Sequence, residues 1–328
     1  MKILVTGSEG SLMQAVIPGL QAQGHEVVGV DNFFRYGHIE RKRNYELIEG
    51  DLADEAFVRK IMTKDVDGVI QAAARIFGVS GFHTYPADIL SRDVTLHQNI
   101  LWAAKELGTV KRIVYISSSM VYERCETAPS REEDVEDMRI PSTDYGLSKL
   151  MGERLSRAFK QQFGMDFTVW RPFNIITPFE RSEGEPGISH VFADFVERLI
   201  VRNEFPLKVI GDGEQIRCFT WIDDIASAIA KYSFDERTKN ETFNLGNPEP
   251  MTMTELAKLI FEAGKRKGVI PADRKLTFEH LPTYSDDVRL RIPAVDKAER
   301  LLGWKPTVST AESIDRCVDQ AVAAMVKA

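Results

Sequence analysis

The strongest constraint on the fold is an alternation, over the first 120 residues, between short apolar runs and longer amphipathic stretches. The apolar runs lie at 3–5, 26–30, 45–48, 68–70 and 112–116, and a further run lies at 167–170. Amphipathic stretches such as 11–23 and 96–107 have the length that helical crossovers between parallel strands require. We therefore predict an α/β fold built on a doubly wound, parallel sheet of the Rossmann type, with a smaller interleaved C-terminal lobe.

Composition and charge narrow the class of partner. Of the 328 residues, 43% are apolar and 28% are charged, which is typical of a globular protein. The formal net charge is −7 and no basic block offsets it, so we expect neither nucleic acid nor an anionic membrane as a partner. The three cysteines are far apart, which disfavours a disulfide framework and a metal site. With no apolar run of membrane-spanning length and no signal sequence, we expect a cytoplasmic protein.

The turn after the first apolar run has the features of a dinucleotide site. Two glycines lie between a predicted strand and a predicted helix, and glycine lets the backbone approach a pyrophosphate closely. The N-terminus of the helix adds free N–H groups and the positive end of its dipole. A plain strand-to-helix turn is the alternative for this segment alone. The candidate cofactor-binding residues of the turn are Gly7, Gly10, Ser11 and Leu12.

The ends of the next strands extend this prediction. The second strand ends at Asp31 and Asn32, where a carboxylate can bind the adenosine ribose and would repel a 2′-phosphate, so the sequence favours NAD over NADP. A turn-forming aspartate is the alternative reading. Ligands of open α/β sheets bind at the carboxyl edge, where small residues leave room for them. The candidates at the ends of the third and fourth strands are Asp51, Leu52, Ala72, Ala73 and Ala74.

A candidate acid–base pair follows the fifth strand. Tyr145 and Lys149 are four residues apart, so on a helix they lie on the same face. A neighbouring ammonium group and an oxidised nicotinamide ring both favour the phenolate, which would make the tyrosine a base for a sugar hydroxyl near neutral pH. Such a pair can also occur by coincidence on a helix surface.

These features occur in the order found in one family. Over essentially its whole length, the chain resembles the extended short-chain dehydrogenase/reductase family of nucleotide-sugar epimerases and dehydratases. In the first 150 residues the resemblance lies in Thr6-Gly7-x-x-Gly10, Asp31-Asn32, Asp51-Leu52, Ser118 with Tyr122, and Tyr145-x-x-x-Lys149. Further on it lies in Arg171-Pro172-Phe173-Asn174, Gly211-Asp212-Gly213, Trp221-Ile222-Asp223-Asp224, Asn244-Leu245-Gly246 and Leu302-Gly303-Trp304.

The resemblance implies NAD as the cofactor and a nucleotide-diphosphate sugar as the substrate. It implies that Tyr145 is the acid–base residue, that Lys149 tunes its pKa and binds the nicotinamide ribose, and that Ser118 binds the reacting oxygen. It also implies that Phe173 binds the cofactor. The substrate-binding residues that it implies are Ser118, Ser119, Asn174, Arg217 and Arg289, with the two arginines as phosphate ligands. A surface ion pair is the alternative for either arginine.

Departures from the family pattern are informative. Met13 replaces the third glycine of the phosphate turn, Asp93 stands where many members have asparagine, and Thr177 replaces a glycine. Ser119 and Met120 stand where the 4,6-dehydratases of the family have aspartate and glutamate, and where its decarboxylases keep the glutamate. Neither residue transfers a proton at neutral pH, so dehydration and decarboxylation are disfavoured.

The remaining chemistry is oxidation at carbon 4 of the sugar, followed by return of the hydride to the opposite face. We therefore expect an NAD-dependent nucleotide-sugar 4-epimerase. A nucleotide-sugar 4-ketoreductase, a 3,5- or other-carbon epimerase and a dehydratase of the same family are alternatives. A 3,5-epimerase is disfavoured because Met120 replaces its acid cysteine and no lysine partner is evident near Gly187. An NAD-binding regulatory module without catalysis is the alternative from a different class.

The expected organisation has two lobes. We expect residues 1–172 to form the NAD-binding domain, segments around 215–245 to return to it, and residues 173–328 to form mainly the nucleotide-sugar-binding lobe. We also expect a homodimer, because helices that begin near Ser91 and Asp144 carry apolar residues on more than one face. The residues concerned are Leu96, Ile100, Leu101, Leu147, Leu150 and Met151.

Overall fold

Parallel strands and the helices that connect them dominate the computed structural model, which describes residues 1–182 and 184–327. The strands are β1 (Lys2–Thr6), β2 (Glu26–Asp31), β3 (Glu46–Glu49), β4 (Gly68–Gln71), β5 (Arg112–Ile116), β6 (Phe167–Pro172), β7 (Ile175–Ile176), β8 (Leu207–Ile210), β9 (Ile216–Cys218), β10 (Thr220–Trp221), β11 (Glu241–Leu245), β12 (Pro250–Thr252) and β13 (Phe278–Leu281). The helices are α1 (Ser11–Ala22), α2 (Glu55–Ile61), α3 (Val79–Thr84), α4 (Pro86–Leu107), α5 (Asp144–Phe163), α6 (Val191–Val196), α7 (Ile222–Tyr232), α8 (Met253–Arg266), α9 (Asp296–Leu302) and α10 (Thr310–Lys327).

The central sheet confirms the predicted fold class. Its order is β11-β6-β5-β4-β1-β2-β3, and all neighbouring strands in it are parallel. The six predicted strands are β1 to β6, and α1 matches its predicted bounds within one residue. α4 differs, because it begins at Pro86 rather than near Ser91. Proline is favoured in the first turn of a helix, where its missing N–H is not needed.

Both faces of the sheet are covered, which explains the continuous apolar runs. In β1, Ile3 and Val5 pack with α1 and α7, whereas Leu4 points to the opposite face, toward α2 and α4. Each of these three side chains is completely buried. Burial of an aliphatic side chain of this size contributes about 1.5–3 kcal/mol. The alternation of side chains along the strand therefore serves two separate cores.

The chain passes between the two parts of the structure more than once. After β6 it builds short two-stranded sheets, β7 with β10, β9 with β12 and β8 with β13, and a separate core around α6, α8 and α10. Between β10 and β12 the chain returns through α7, which packs on α1, to β11, where Phe243 pairs with Trp170 of β6. Among the described residues, no helix combines the length and apolar character needed to cross a membrane.

Candidate active site

Two adjoining cavities open at the carboxyl edge of the central sheet. The glycine-turn cavity, about 1210 Å³, is bounded by the turn after β1 and by residues after β2 and β4. The inter-lobe cavity, about 1740 Å³, lies between residues that follow β5 and β6 and side chains of the second lobe. Ser11, Leu12 and Ala72 border both cavities, so the two are continuous. Together they form one cleft along the carboxyl edge of the sheet.

The glycine-turn cavity has the features that a pyrophosphate requires. α1 starts after Gly10 without a side-chain cap, so its first N–H groups are available to an anion. Gly7 has a φ of +64°, and a Cβ there would lie 2.9 Å from the backbone of Ala73, so the turn needs glycine at this position. These features fit a dinucleotide. The predicted cofactor residues that line this cavity are Gly7, Gly10, Ser11, Leu12, Asp31, Asn32, Asp51, Leu52, Ala72, Ala73 and Ala74.

Asp31 ends β2 at the wall of the glycine-turn cavity. Its Oδ2 accepts a hydrogen bond from the Glu9 backbone N–H at 2.9 Å, and its Oδ1 accepts one from the Phe33 N–H at 2.8 Å. Burial raises the pKa of Asp31, whereas these two backbone hydrogen bonds lower it. The side chain is therefore held in one orientation at the point where the sequence predicts an adenosine ribose.

Two residues that the sequence analysis placed at the cofactor site, Met13 and Phe173, have buried side chains. Met13 lies beside the turn with its side chain buried in the core next to Val16 and Ile17, so it fills the space beneath the turn. Phe173 is a correction, because its side chain lines neither cavity. It is completely buried and packs against Tyr122, with ring centroids 5.8 Å apart. The side chain fills the core behind the site and does not reach the cofactor cavity.

Ser118, Tyr145 and Lys149 meet at the wall of the inter-lobe cavity. The two α5 residues are one turn apart and both are buried. The Lys149 Nζ donates to the Ile116 carbonyl at 3.2 Å and lies 5.7 Å from the centroid of the Tyr145 ring. The Ser118 hydroxyl lies close enough to the Tyr145 phenol to lower its pKa. The three predicted side chains therefore form one cluster.

Burial and neighbouring charged groups shift the pKa values of Tyr145 and Lys149 in opposite directions. Burial raises the pKa of Tyr145 to about 12, while the Ser118 hydrogen bond and the charges of Arg35 and Arg291 lower it. Burial also lowers the pKa of Lys149, while Asp93 raises it. Tyr145 is therefore a neutral phenol at pH 7 in the protein alone. An additional positive charge in the adjoining cavity would lower the pKa of this phenol.

Asp93 of α4, which stands where many family members have asparagine, lies near Lys149 of the cluster. It is buried, and it accepts hydrogen bonds from the Arg75 backbone N–H at 2.7 Å and from the Ser148 hydroxyl at 3.4 Å. Burial raises the pKa of Asp93 to about 6, against the lowering effect of Lys149. The aspartate thus adds a titratable group next to Lys149, which an asparagine would not.

A buried ion pair holds the cluster in place. Arg171 of β6 binds Glu153 of α5 with an Nη2–Oε2 distance of 2.6 Å, and both side chains are almost fully buried. The Ser117 hydroxyl donates to Glu153 at 2.6 Å, and Arg171 donates to the Tyr122 hydroxyl at 2.5 Å. α5 and the segment after β5 are therefore fixed to the same guanidinium group. This segment carries Ser118.

Two arginines reach the inter-lobe cavity from the second lobe. Arg291 donates to the Asn174 Oδ1 at 3.1 Å, contacts the Met120 sulfur, and has no partner for its Nε among the described residues. Burial lowers the pKa of Arg291 to about 9, so the group is still charged at neutral pH. Arg217 lines the same cavity and pairs with Asp287 at 3.5 Å. Both guanidinium groups are available to an anion in this cavity.

The placement of Arg289 corrects the sequence prediction. Ser118, Ser119, Asn174 and Arg217 line the inter-lobe cavity as expected, but Arg289 does not. Its guanidinium binds Asp212 at 2.8 and 2.9 Å, and 61% of its side chain is exposed. The second cavity arginine is Arg291, two residues further along the chain. Sequence alone offers no basis for choosing between the two, since they flank a single leucine in the same extended segment.

A charged trio in the same cavity was not predicted. Glu180 accepts hydrogen bonds from the His190 Nδ1 at 2.8 Å and from the Arg35 Nη2 at 3.1 Å. Although burial would raise the pKa of Glu180, His190 and Arg35 hold it at about 2. All three residues line the inter-lobe cavity. Glu180 and His190 lie in the loop between β7 and α6, and Arg35 lies after β2, so no periodic pattern in the sequence places the three together.

The fold and the two cavities define an enzyme class, that of Rossmann enzymes with a Ser-Tyr-Lys cluster next to a dinucleotide site. Residues 3–246 match the family model of the NAD dependent epimerase/dehydratase family. The chain therefore belongs to this family, and NAD is its cofactor. Family, fold class and cofactor are confirmed predictions.

Relatives with known names have several activities. The chain is 28% identical over 331 residues to a UDP-glucuronate 4-epimerase of Thermodesulfobacterium geofontis, covering 96% of this chain and 94% of the relative. It is 29% identical over 324 residues to UDP-glucuronic acid decarboxylase 1 of Danio rerio, covering 97% of this chain and 72% of the relative. A UDP-glucose 4-epimerase of Thermotoga maritima, solved with UDP-glucose, superimposes with a TM-score of 0.84 at 28% identity, covering 99% of this chain and 100% of that one.

Proposed function

We propose that this enzyme is a nucleotide-sugar epimerase that inverts carbon 4 through a transient 4-keto intermediate. One observation carries the proposal: Ser118, Tyr145 and Lys149 share a cavity with Arg217 and Arg291, while the segment 119–120 has no carboxylate. Inversion at carbon 4 needs one acid–base group and no second acid. The 4-epimerase names of two relatives support the proposal, whereas the decarboxylase relative shows that the family likeness alone does not select this reaction.

The cluster would move one proton. In this proposal Tyr145 takes the proton of the sugar 4-hydroxyl and later returns it, while Ser118 donates a hydrogen bond to the reacting oxygen. The Lys149 ammonium group favours the phenolate form of Tyr145 and would bind the nicotinamide ribose. The chemistry that NAD supplies when bound is removal and return of a hydride at carbon 4.

The second lobe would hold the nucleotide diphosphate. Arg291 and Arg217 are planar donor forks that can bind phosphate oxygens, and the Nε of Arg291, which has no partner in the described part of the chain, can donate to one. Asn174, which is bonded to Arg291, would orient that guanidinium. With the phosphates at this end, the sugar extends toward Tyr145.

The test is a screen of UDP-, GDP- and dTDP-sugars with product analysis by NMR in deuterated water. We expect a 4-epimer that keeps its original hydrogen on carbon 4 and gains no deuterium on any carbon. Accumulation of a 4-keto-6-deoxy sugar would overturn the proposal in favour of a dehydratase. Net consumption of a reduced cofactor would indicate a 4-ketoreductase, and cofactor binding without any turnover would indicate a regulatory module.

Epimerisation at a carbon next to the ketone is a second candidate, favoured by the Glu180–His190 pair. The carboxylate orients the imidazole through Nδ1, which leaves the other ring nitrogen free to accept a proton from a carbon acid. Deuterium at carbon 3 or 5, lost in His190→Gln, would support this candidate. His38→Gln, which changes an exposed histidine outside both cavities, is the matched control.

We also propose a homodimer, but the side chains that would form its interface differ from those named in the sequence analysis. Leu96, Ile100 and Leu101 are buried within the protomer, so they provide no free apolar surface. Trp102 on α4 and Met151 on α5 are exposed large apolar side chains on the paired helices.

Light scattering at micromolar concentration is expected to give the mass of a dimer, and Met151→Glu is expected to shift it toward the monomer. Introducing a charge into an apolar interface is costly, whereas Val326→Glu changes an exposed apolar residue of α10 and should leave the mass unchanged. A monomeric wild-type protein would refute the dimer.

A further inference from the structure

Glu9, in the turn between β1 and α1, is held by three side chains from the segment between β2 and β3. Arg43 binds its carboxylate with an Nη2–Oε2 distance of 2.6 Å, and the Arg43 Nε lies 3.0 and 3.1 Å from the two oxygens. Arg41 binds Oε1 at 2.7 Å, and the Tyr45 hydroxyl donates to the same oxygen at 2.6 Å. We call these four residues the Glu9 clamp.

Two residues of the Glu9 clamp, Glu9 and Arg41, border the predicted adenosine end of the cofactor cavity, and Arg43 reaches it through Glu9. Glu9 and Arg41 line the glycine-turn cavity together with Asp31. The Glu9 backbone N–H donates to the Asp31 Oδ2 at 2.9 Å, so the two acidic residues are in direct contact. Any group added to the ribose hydroxyl that Asp31 would bind must therefore come close to the clamp.

The charges of this region are balanced. Burial would raise the pKa of Glu9, but the hydrogen bonds from Arg43, Arg41 and Tyr45 lower it to about 2. Glu9 is therefore ionised at neutral pH, and two carboxylates, Glu9 and Asp31, stand against two guanidinium groups. Removal of the Glu9 charge would leave both guanidinium groups beside a single carboxylate. Arginine forks bind phosphate through paired, charge-assisted hydrogen bonds.

We propose that Glu9 determines the selectivity for NAD over NADP, because it occupies the donors of Arg41 and Arg43 that would otherwise bind a phosphate on the adenosine 2′-hydroxyl. Selectivity then has two components. Asp31 repels the 2′-phosphate, and Glu9 withholds the arginines that could compensate for this repulsion. The proposal concerns the cofactor site and is independent of the sugar reaction.

The test isolates the adenosine end with two fragments, 5′-ADP and 2′,5′-ADP, each used to displace NADH whose fluorescence reports its binding. Glu9→Gln keeps the shape of the side chain and removes its charge. We expect its affinity for 2′,5′-ADP to rise at least about tenfold, and its affinity for 5′-ADP to change less than about threefold. The gain should shrink as salt rises, because added ions screen the attraction between the arginines and the phosphate.

Two controls assign the gain to the arginines. Glu40→Gln removes an exposed carboxylate of the same segment and should change neither affinity. Adding Arg41→Gln and Arg43→Gln to Glu9→Gln should abolish the gain. A folded Glu9→Gln protein with unchanged 2′,5′-ADP affinity would overturn the proposal, and so would a gain that survives loss of both arginines.

A further variant covers the case in which Glu9→Gln does not fold. Glu9→Ala removes the carboxylate and leaves no side-chain acceptor against the two guanidinium groups, so it should also raise the affinity for 2′,5′-ADP. An unchanged 2′,5′-ADP affinity in a folded Glu9→Ala protein would show that Glu9 does not withhold the arginines from the phosphate. That result would also overturn the proposal.

Discussion

Replacing Tyr145 with phenylalanine is expected to lower kcat by roughly two to four decades while leaving nucleotide-sugar affinity nearly unchanged. The phenol is buried, lines the same cavity as Ser118, and is the one group of the cluster that can both accept and return the proton of a sugar hydroxyl. Phenylalanine keeps the ring, which stacks on Phe82 with a centroid distance of 4.8 Å, so the pocket keeps its shape. Steady-state kinetics together with binding titrations measure both quantities.

The matched control is Tyr85→Phe. Tyr85 is 41% exposed, lies outside both cavities and also packs its ring on a phenylalanine. Its loss of a hydroxyl should leave kcat within about twofold of the wild type, as expected for a surface change. Wild-type turnover in Tyr145→Phe would rule out the proposed role of this residue.

Replacing Arg291 with glutamine is expected to raise KM for the nucleotide sugar by roughly tenfold to a hundredfold, since a hydrogen bond to a charged group contributes about 1.5–3 kcal/mol. The guanidinium is buried at the inter-lobe cavity and has an unpartnered Nε. Glutamine is too short and uncharged, so it cannot replace the donor fork. The kinetic measurement should show a smaller effect on kcat, because the diphosphate does not change during the reaction.

Arg289→Gln is the control, because it makes the same change two residues away. Arg289 forms an exposed ion pair with Asp212, and such pairs contribute about 0–1 kcal/mol to stability. Its KM should stay within about twofold of the wild type, as for other surface changes. Equal effects of the two substitutions would contradict the assignment of Arg291 as the cavity arginine.

Most of the sheet could be predicted because strands buried on both faces produce unbroken apolar runs. β1 is the clearest case, because Ile3 and Val5 pack into the core on one face of the sheet and Leu4 packs into the core on the other face. The start of α4 was missed because its first residues, Pro86, Ala87 and Asp88, are exposed, and the first buried side chain is that of Ile89. Apolar periodicity reveals only the part of a helix that packs against the core, and α4 begins before its first core residue.

The site was predictable where spacing along one element brings residues together. Tyr145 and Lys149 are one helical turn apart, and Gly7 and Gly10 share one turn. Arg291 could not be chosen over its neighbour Arg289, because the difference lies in which side of an extended segment faces the cavity. The Glu180–His190 pair forms within one irregular loop, and the Glu9 clamp forms where two separate segments meet, so no local pattern encodes either.

The return of the chain to β11 limits how this protein can be recombined with its relatives. β11 pairs along one side of β6, and α7 covers α1 so closely that a Cβ at Gly19 would lie 2.7 Å from Ala230. A polypeptide ending at residue 172 would expose both the open edge of β6 and the bare face of α1, and an unpaired edge is a template for aggregation. A chimaera that exchanges only the second lobe must therefore retain residues 222–245 with the first. The unit that can be inherited or grafted as a cofactor-binding module is discontinuous in sequence.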